Sequence, residues 1–284
     1  MVKKTVYFIV FISVFILSSC DAFEDFTIEK EEKVPLVVEG ILIPDIQPTI
    51  CLSELSDLGD IQDTAYIPVT NAKVRLYHKG QKYNLILTDA QSGTFSYVDN
   101  SLNIVAGESY SLEIDYLDRT VSAETIVPYA VSDISLIVEP ASERNANDIL
   151  NISWEAKDDS YFYLFLESDT NNVSEPIFYY SEYPFAENNY LINASNLYEG
   201  DTYYLLIYSL SHDYAQYYFR YDPLNSNYVY ESNVNDAYGI FTGLNINHIS
   251  FVYQKDLNIK LTPKALPDFL LRKKLSLNFN ALIK

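Results

Sequence analysis

From Leu36 onward, apolar and polar side chains alternate in short segments that turn residues separate. In the segment 110–116, Tyr, Leu, Ile and Tyr occupy every second position, and Ser, Glu and Asp occupy the positions between them. Because successive side chains of a β-strand point to opposite faces, this pattern predicts a strand with one buried and one solvated face. The segment 72–76 repeats the pattern, and helical periodicity is nearly absent before residue 255. The chain is therefore predicted to be all-β, with antiparallel sheets.

The predicted strands fall into two series on either side of Pro128. The first series lies near 36–43, 49–55, 72–78, 83–88, 94–98, 109–116 and 120–127. The second series lies near 133–139, 149–155, 160–168, 176–181, 189–193, 202–209 and 214–221. Seven strands at this spacing are typical of a β-sandwich.

Parts of the second series resemble a fibronectin type III domain. The segment Leu150-Asn151-Ile152-Ser153-Trp154, followed by Tyr161-Phe162-Tyr163-Leu164, is similar to the second and third strands of that fold. The segment from Leu197 to Tyr203 resembles its tyrosine corner, in which a phenol oxygen hydrogen-bonds back to the chain. Gly107-Glu108-Ser109-Tyr110 is a fainter version in the first series. We therefore expect two tandem antiparallel sandwich modules of the immunoglobulin or fibronectin III type.

The first twenty residues have the three-part layout of a secretory signal peptide. Lys3-Lys4 precedes an apolar run from Val6 to Leu17, which leads into Leu17-Ser18-Ser19-Cys20. The run is too short to span a bilayer. The small residues before Cys20 form a lipobox, so Cys20 is predicted to be lipidated and to become the first residue of the mature protein. The alternative is a signal anchor with a bystander cysteine.

We expect five consecutive segments along the chain. They are a signal peptide at 1–19, an acidic tether at 20–33, an N-terminal β-sandwich at 34–128, a tyrosine-rich fibronectin III-like sandwich at 129–254, and a basic tail at 255–284. The tether resembles the acidic export signals that send some lipoproteins to the outside of the outer membrane, although an ordinary solvated spacer has the same composition. The predicted location is the outer membrane, lipid-anchored and facing the cell exterior.

The chain is strongly acidic, with a formal net charge of −20. Such a surface repels phosphate backbones, so nucleic acid is not an expected partner. Once Cys20 carries lipid, Cys51 is the remaining thiol, and no intrachain disulfide can form. Cys51 lies in an apolar segment and is interpreted as a small buried side chain.

The tail differs in charge from the rest of the chain. Between Lys255 and Lys284 it carries seven basic residues against Asp256 and Asp268. A short amphipathic helix is expected around 267–277. The tail either folds back on the acidic body of the protein or docks on a partner, and low salt strengthens both contacts.

Catalytic signatures are missing from the sequence. The three histidines, His78, His212 and His248, lie in no recognisable motif, and there is neither a Gly-x-Ser-x-Gly elbow nor a His-Glu-x-x-His helix. Zinc sites require more Cys and His than the chain offers. The chain is therefore predicted not to be an enzyme, with no catalytic residue, metal or cofactor.

Tyrosine is concentrated in the second half of the chain. Between Tyr161 and Tyr230 lie 16 of the 26 tyrosines, several of them in adjacent pairs. Adjacent residues of a strand face opposite sides, so one member of each pair is expected to leave the core. Exposed tyrosines are enriched at binding surfaces. Tyr179, Tyr180, Tyr217 and Tyr218 are predicted to form such a surface, for a protein partner or for sugar rings, unless they only stiffen the sheet.

Several stretches together resemble an uncharacterised lipoprotein family, domain of unknown function 4249. The resemblance covers about residues 20–250. It is carried by Leu36-Val37-Val38-Glu39-Gly40, Thr49 to Ser53, Val69-Thr70-Asn71-Ala72-Lys73-Val74, Gly107-x-x-Tyr110, Ser122 to Pro128, Tyr217-Tyr218-Phe219 and Ser232 to Phe241.

The resemblance implies an outer-membrane lipoprotein whose gene neighbours TonB-dependent transporters, and so an accessory role in nutrient uptake. It supplies no catalytic residues. The first hypothesis is a non-enzymatic surface lipoprotein that captures a ligand or caps a transporter. The alternative is a structural or adhesive envelope protein that acts through protein contacts, and an enzyme is the third possibility.

Overall fold

The described part of the chain excludes both termini. The computed structural model describes residues 35–55, 66–141, 147–169, 178–181, 184–219, 221–222, 227–228 and 232–265. The predictions for the signal peptide, Cys20, the tether and the helix at 267–277 lie outside these residues. No helix within them is long and apolar enough to cross a membrane.

The first module contains eight consecutive strands. They are β1 (Leu36–Leu42), β2 (Thr49–Leu55), β3 (Tyr66–Pro68), β4 (Lys73–His78), β5 (Gln81–Asp89), β6 (Thr94–Ser96), β7 (Ser109–Tyr116) and β8 (Arg119–Ile126). Strand β5 passes from one layer to the other. Its first half pairs with β4, and its second half pairs with β6. The order β1-β2-β6-β5-β4-β7-β8 therefore folds into two facing layers. Apolar residues of both layers, among them Leu52, Phe95, Leu112 and Val121, fill the space between them.

The second module is a complete sandwich of two separate sheets. Its elements are β9 (Ser132–Glu139), β10 (Ile149–Glu155), β11 (Tyr161–Ser168), β12 (Phe178–Tyr180), β13 (Asn189–Asn193), a 3₁₀ helix (Ala194–Asn196), β14 (Thr202–Leu210), α1 (His212–Phe219), β15 (Tyr221–Asp222), β16 (Asn227–Tyr228), β17 (Tyr238–Val252), β18 (Asn258–Leu261) and β19 (Lys264–Ala265). One sheet has the order β13-β10-β9-β18, and the facing one has β12-β11-β14-β17. Trp154, Phe162 and Leu205 lie in the core between them. The prediction of an all-β fold with two sandwich modules is confirmed.

Strand β17 belongs to both modules. Its first part, Tyr238–Gly243, pairs with β1, and its second part, Leu244–Val252, pairs with β14. The pairing with β1 is parallel, whereas a purely antiparallel arrangement was predicted. The predicted division at Pro128 also differs from the structure, because residues far beyond it complete the first module. Adjacent strands with short turns run antiparallel, but a strand that returns after a long connection is free to pair in parallel.

The last predicted strand of the second series, 214–221, is wrong, because His212–Phe219 forms helix α1. The Ser211 hydroxyl accepts a hydrogen bond from the backbone N–H of Tyr214 (3.1 Å), and this contact caps the helix N-terminus. Tyr214 is buried in a third apolar cluster with residues of β14 and β17, and Ala215 is buried beside it in the helix. The β-propensity of the tyrosines is thus overridden by the cap and by burial of one helix face. Strand β17 takes the place of the predicted strand.

Both predicted tyrosine corners are present. The phenol oxygen of Tyr203 accepts a hydrogen bond from the backbone N–H of Tyr198 (2.9 Å), and that of Tyr110 accepts one from Val105 (2.8 Å). A glycine with positive φ stands three residues before each tyrosine and allows the sharp turn of the corner.

The first residues of the predicted basic tail form strands of the second module. Strand β18 pairs with β9, and β19 pairs with β17, so residues 258–261 and 264–265 extend the two sheets of the second module. The predicted tail boundary at 255 differs from this, because the alternating segment Asn258–Leu261 is short and lies among basic residues that mask its pattern.

Candidate functional site

The junction between the modules is fixed by polar side chains of β17. Asn245 Nδ2 donates a hydrogen bond to the carbonyl oxygen of Pro128 (3.1 Å), and Asn247 Oδ1 accepts one from the backbone N–H of Val131 (3.0 Å). Both asparagines are buried. Buried polar groups are costly to leave without partners, so these contacts hold the linker in one conformation.

Tyr129 of the linker contacts both modules. Its ring lies so close to Gly107 that a Cβ atom at that glycine would stand 2.2 Å from the phenol oxygen. On the other side, Lys157 Nζ lies 5.2 Å from the ring centroid, and the backbone N–H of Tyr129 donates to Asp158 (3.1 Å). A cation over an aromatic face is attracted to it. The linker is therefore held from both sides.

A cleft of about 410 Å³ opens beside this junction. Four of its lining residues are acidic, namely Glu124, Asp158, Asp159 and Asp213, and the described lining includes neither Lys nor Arg. Glu124 comes from the first module, and the three aspartates come from the second. The cleft also includes apolar surface from Ile126, Pro128 and Leu210. Clefts of this size at module boundaries are typical ligand sites.

Three of the four acids are oriented by hydrogen bonds, and Glu124 accepts one from the Ser111 hydroxyl (3.3 Å). Asp158 accepts from the hydroxyl of Ser160 as well as from Tyr129, and Asp213 accepts from Asn233 Nδ2 (3.2 Å). Among the described residues, no group of three or more Cys, His, Asp or Glu side chains is placed to hold a metal ion. The four acids line the cleft as an acidic wall to which both modules contribute. Such a wall matches a cationic group carried by a larger ligand.

The tyrosines predicted to form a binding surface lie in different surroundings. Tyr180 is 61% exposed on the edge strand β12. Tyr179 was predicted to face outward, but it pairs opposite Leu166 and packs against the second core. Tyr217 lies on α1, partly buried against the third apolar cluster, because its segment is a helix. The side chain of Tyr218 lies outside the described part of the structure.

Tyr163 is an aromatic neighbour of Tyr180. Tyr163 stands on the neighbouring strand β11, and burial raises the pKa of its phenol to about 12, with Tyr180 and Tyr190 close enough to add to the effect. Tyr163 is therefore protonated at neutral pH and keeps its hydroxyl proton as a hydrogen-bond donor.

The other residues considered from the sequence have structural roles. His78 stacks on Tyr110 with their ring centroids 4.4 Å apart, and its Nε2 lies 3.5 Å from Glu108. Cys51 Sγ lies 3.3 Å from the Thr94 hydroxyl, and burial raises the pKa of the thiol. A raised pKa lowers the thiolate population, so Cys51 is a poor nucleophile.

The acids of the cleft could not be predicted from the sequence. They come from β8, from the turn before β11 and from the start of α1, so no local motif unites them. In a chain with 39 acidic residues, single Asp and Glu positions carry no distinguishing signal. These acids line one cleft because β17, which pairs with strands of both modules, holds the two modules together.

Comparison with known proteins identifies a family and a solved structure with limited similarity. A crystal structure of the FN1–FN3 domains of chicken CNTN1 is similar, with 15% identity and a TM-score of 0.31. That similarity covers 62% of this chain and 58% of the CNTN1 chain, so this chain spans less than two thirds of its relative. No curated protein sequence matches the chain. The family described as Domain of unknown function (DUF4249) matches residues 24–250, a range that includes the first module and the second module up to the end of β17, and the chain belongs to that family.

Proposed function

We propose that this protein is a lipid-anchored, non-enzymatic binding module on the outer face of the outer membrane. In this proposal it works beside a TonB-dependent transporter in nutrient uptake, and the acidic cleft contacts a cationic segment of its partner or ligand. The lipobox at Cys20 supports the anchor, and the sequence resemblance described above supports the transporter as partner.

The cleft between the modules is the observation that carries the proposal. Glu124 and three aspartates of the other module line this cleft of about 410 Å³, and its described lining contains neither Lys nor Arg. Strand β17 and the asparagine contacts to the linker fix the distance between the two walls. A preformed site binds without the entropy cost of ordering its walls.

The negative charge of the cleft also predicts how binding should depend on the salt concentration. Complementary charges speed association and favour the correct partner, and salt weakens contacts between exposed charges. Binding through the cleft should therefore weaken as the salt concentration rises.

Cross-linking in intact cells tests the proposal. The protein is recovered through a tag at Lys284, and mass spectrometry identifies what is linked to it. We expect a TonB-dependent transporter to be recovered, and the double variant Glu124→Gln, Asp159→Asn to reduce its yield. These two acids are exposed, so their loss should leave the fold intact.

A matched control separates the cleft from the overall charge. The double variant Asp118→Asn, Glu199→Gln removes the same charge from exposed positions outside the cleft. It should retain the wild-type yield. Recovery of only envelope or adhesion proteins, with uptake unchanged, would favour the structural alternative.

A further inference from the structure

A second cavity, of about 400 Å³, lies at the edge of the second module where the chain passes from β12 to β13. Its described lining consists of Ser181, Pro184, Phe185, Glu187, Asn189, Tyr190 and Leu191. This volume is within the range of about 300–1,000 Å³ that small-molecule sites occupy. The cavity is separate from the acidic cleft and shares no lining residue with it.

The backbone of the cavity wall is attached to strand β11. Phe185 and Phe162 exchange two backbone hydrogen bonds, of 2.7 and 3.0 Å. Ser181 is buried and makes two more with Leu164, one through its backbone N–H and one through its hydroxyl. These bonds make the wall a preformed part of the sheet edge.

Aromatic rings form one side of the cavity. Phe185 and Tyr190 are stacked, with centroids 5.1 Å apart and ring planes 28° from parallel. Trp154, the single tryptophan of the chain, lies behind Phe185 with centroids 5.9 Å apart. The two rings cover each other on one face and Trp154 lies against Phe185, so the flat surface that this pair can offer to the cavity is the outer face of Tyr190.

The described rim of the cavity is polar. Glu187 and Asn189 are both exposed, and neither Lys nor Arg is found among the lining residues that the structure describes. A carboxylate accepts hydrogen bonds, and an amide both donates and accepts them. The carboxylate disfavours anionic ligands, so the site is suited to a neutral molecule with many hydroxyl groups.

We propose that this cavity binds a neutral pyranose ring of a saccharide. A pyranose has an apolar face of C–H groups, which matches the Tyr190 ring held in place by Phe185, and a rim of hydroxyl groups, which matches Glu187 and Asn189. The inference does not depend on the acidic cleft, so either proposal can fail alone.

The emission of Trp154 reports on the site, because it is the single indole of the chain and contacts Phe185. Purified full-length protein in detergent is titrated with maltose, cellobiose and N,N′-diacetylchitobiose. We expect a saturable change in Trp154 emission with at least one of them, with a Kd at or below about 1 mM. Tyr190→Leu and Asn189→Ala should each weaken binding about tenfold, since a stacked ring or a hydrogen-bond partner is lost.

Two comparisons decide the outcome. Asn189 is exposed, so Asn189→Ala should fold even if Tyr190→Leu does not, and Tyr198→Leu changes an exposed tyrosine outside the cavity and should bind like wild type. Absence of binding by all three disaccharides up to about 10 mM would overturn the proposal. Equal affinity of wild type and both cavity variants would overturn it as well. Loss of transporter cross-linking in Asn189→Ala, without sugar binding by wild type, would assign the surface to a protein and also overturn it.

Discussion

Gly243 of β17 lies against Val127 at the end of the first module, and a Cβ atom on this glycine would stand 2.5 Å from the Cα atom of Val127. Both neighbours within 3 Å are backbone, so no side-chain rotation can relieve the contact. Gly243→Ala should therefore lower the free energy of unfolding by about 1–3 kcal/mol, because β17 and the backbone at the end of β8 must shift apart. Urea unfolding followed by tyrosine fluorescence measures the difference.

Gly80 offers a control for this substitution. A Cβ atom there meets nothing within 4 Å, and its φ of +77° is one that asparagine tolerates. Gly80→Asn should change stability by less than about 0.5 kcal/mol. If Gly243→Ala were as stable as Gly80→Asn, the close packing of β17 on the first module would be refuted.

Removing the hydrogen bond of the tyrosine corner in the second module should lower the free energy of unfolding. Tyr203→Phe removes the acceptor of the Tyr198 backbone N–H and leaves that donor without its partner. We expect a loss of about 1–3 kcal/mol, the usual penalty for an unsatisfied buried group. Tyr198→Phe is the matched control, because its side chain is 60% exposed and its backbone N–H is retained. Equal stability of the two variants in urea would contradict a structural role for the corner.

Much of the fold could be predicted from local pattern. The alternating segments located most strands within a few residues, because one buried face imposes a period of two on each of them. The helix α1 could not be predicted from tyrosine content, since its cap and buried face compete with β-propensity. The parallel pairing of β1 with β17 was also out of reach, because some two hundred residues separate the partners and no turn signal links them.

The candidate sites were less predictable than the fold. The exposure of Tyr180 could be predicted from the alternation of side chains along a strand. The same alternation places its neighbour Tyr179 against the core. Phe185 and Tyr190 lie in the tyrosine-rich half of the chain, yet their stacking depends on how the loop between β12 and β13 is held on β11. Glu124 and Asp159 approach each other only because β17 fixes the modules.

The ion pairs of Arg75 give the stability of the first module a dependence on pH. Arg75 donates to Glu113 (2.5 Å) and to Asp115, and its hydrogen bond is the main cause that lowers the pKa of Asp115 below its ordinary value. A carboxyl group with a lowered folded-state pKa stabilises the fold above its unfolded pKa, and this contribution is lost as the pH falls through the folded-state pKa. Asp115→Asn should therefore unfold at lower urea than wild type at pH 7, and the difference should shrink below about pH 4.

The exposed Asp118 serves as the control for that titration. Asp118→Asn should follow the wild-type urea midpoint from pH 7 to about pH 3. A difference between Asp115→Asn and wild type that stayed constant over this range would show that the loss does not come from ionisation of Asp115.

The membrane anchor is tested by the two cysteines of the chain. Cys20→Ala removes the predicted lipidation site, so the protein should move from the membrane pellet to the soluble fraction. Each acyl methylene contributes about 0.8 kcal/mol of membrane affinity, and the loss of the chains should therefore abolish stable attachment. Fractionation after labelling with a palmitate analogue measures both attachment and acylation.

Cys51→Ala is the matched control, because it removes the other thiol of the chain. Cys51 lies on β2 with its side chain half-buried beside Thr94, where an acyl chain would have to displace the neighbouring strand β6. Cys51→Ala should therefore remain labelled and pellet with the membrane. If Cys20→Ala also stayed in the pellet, attachment would have to come from the apolar run at Val6–Leu17, which would make that segment a retained anchor.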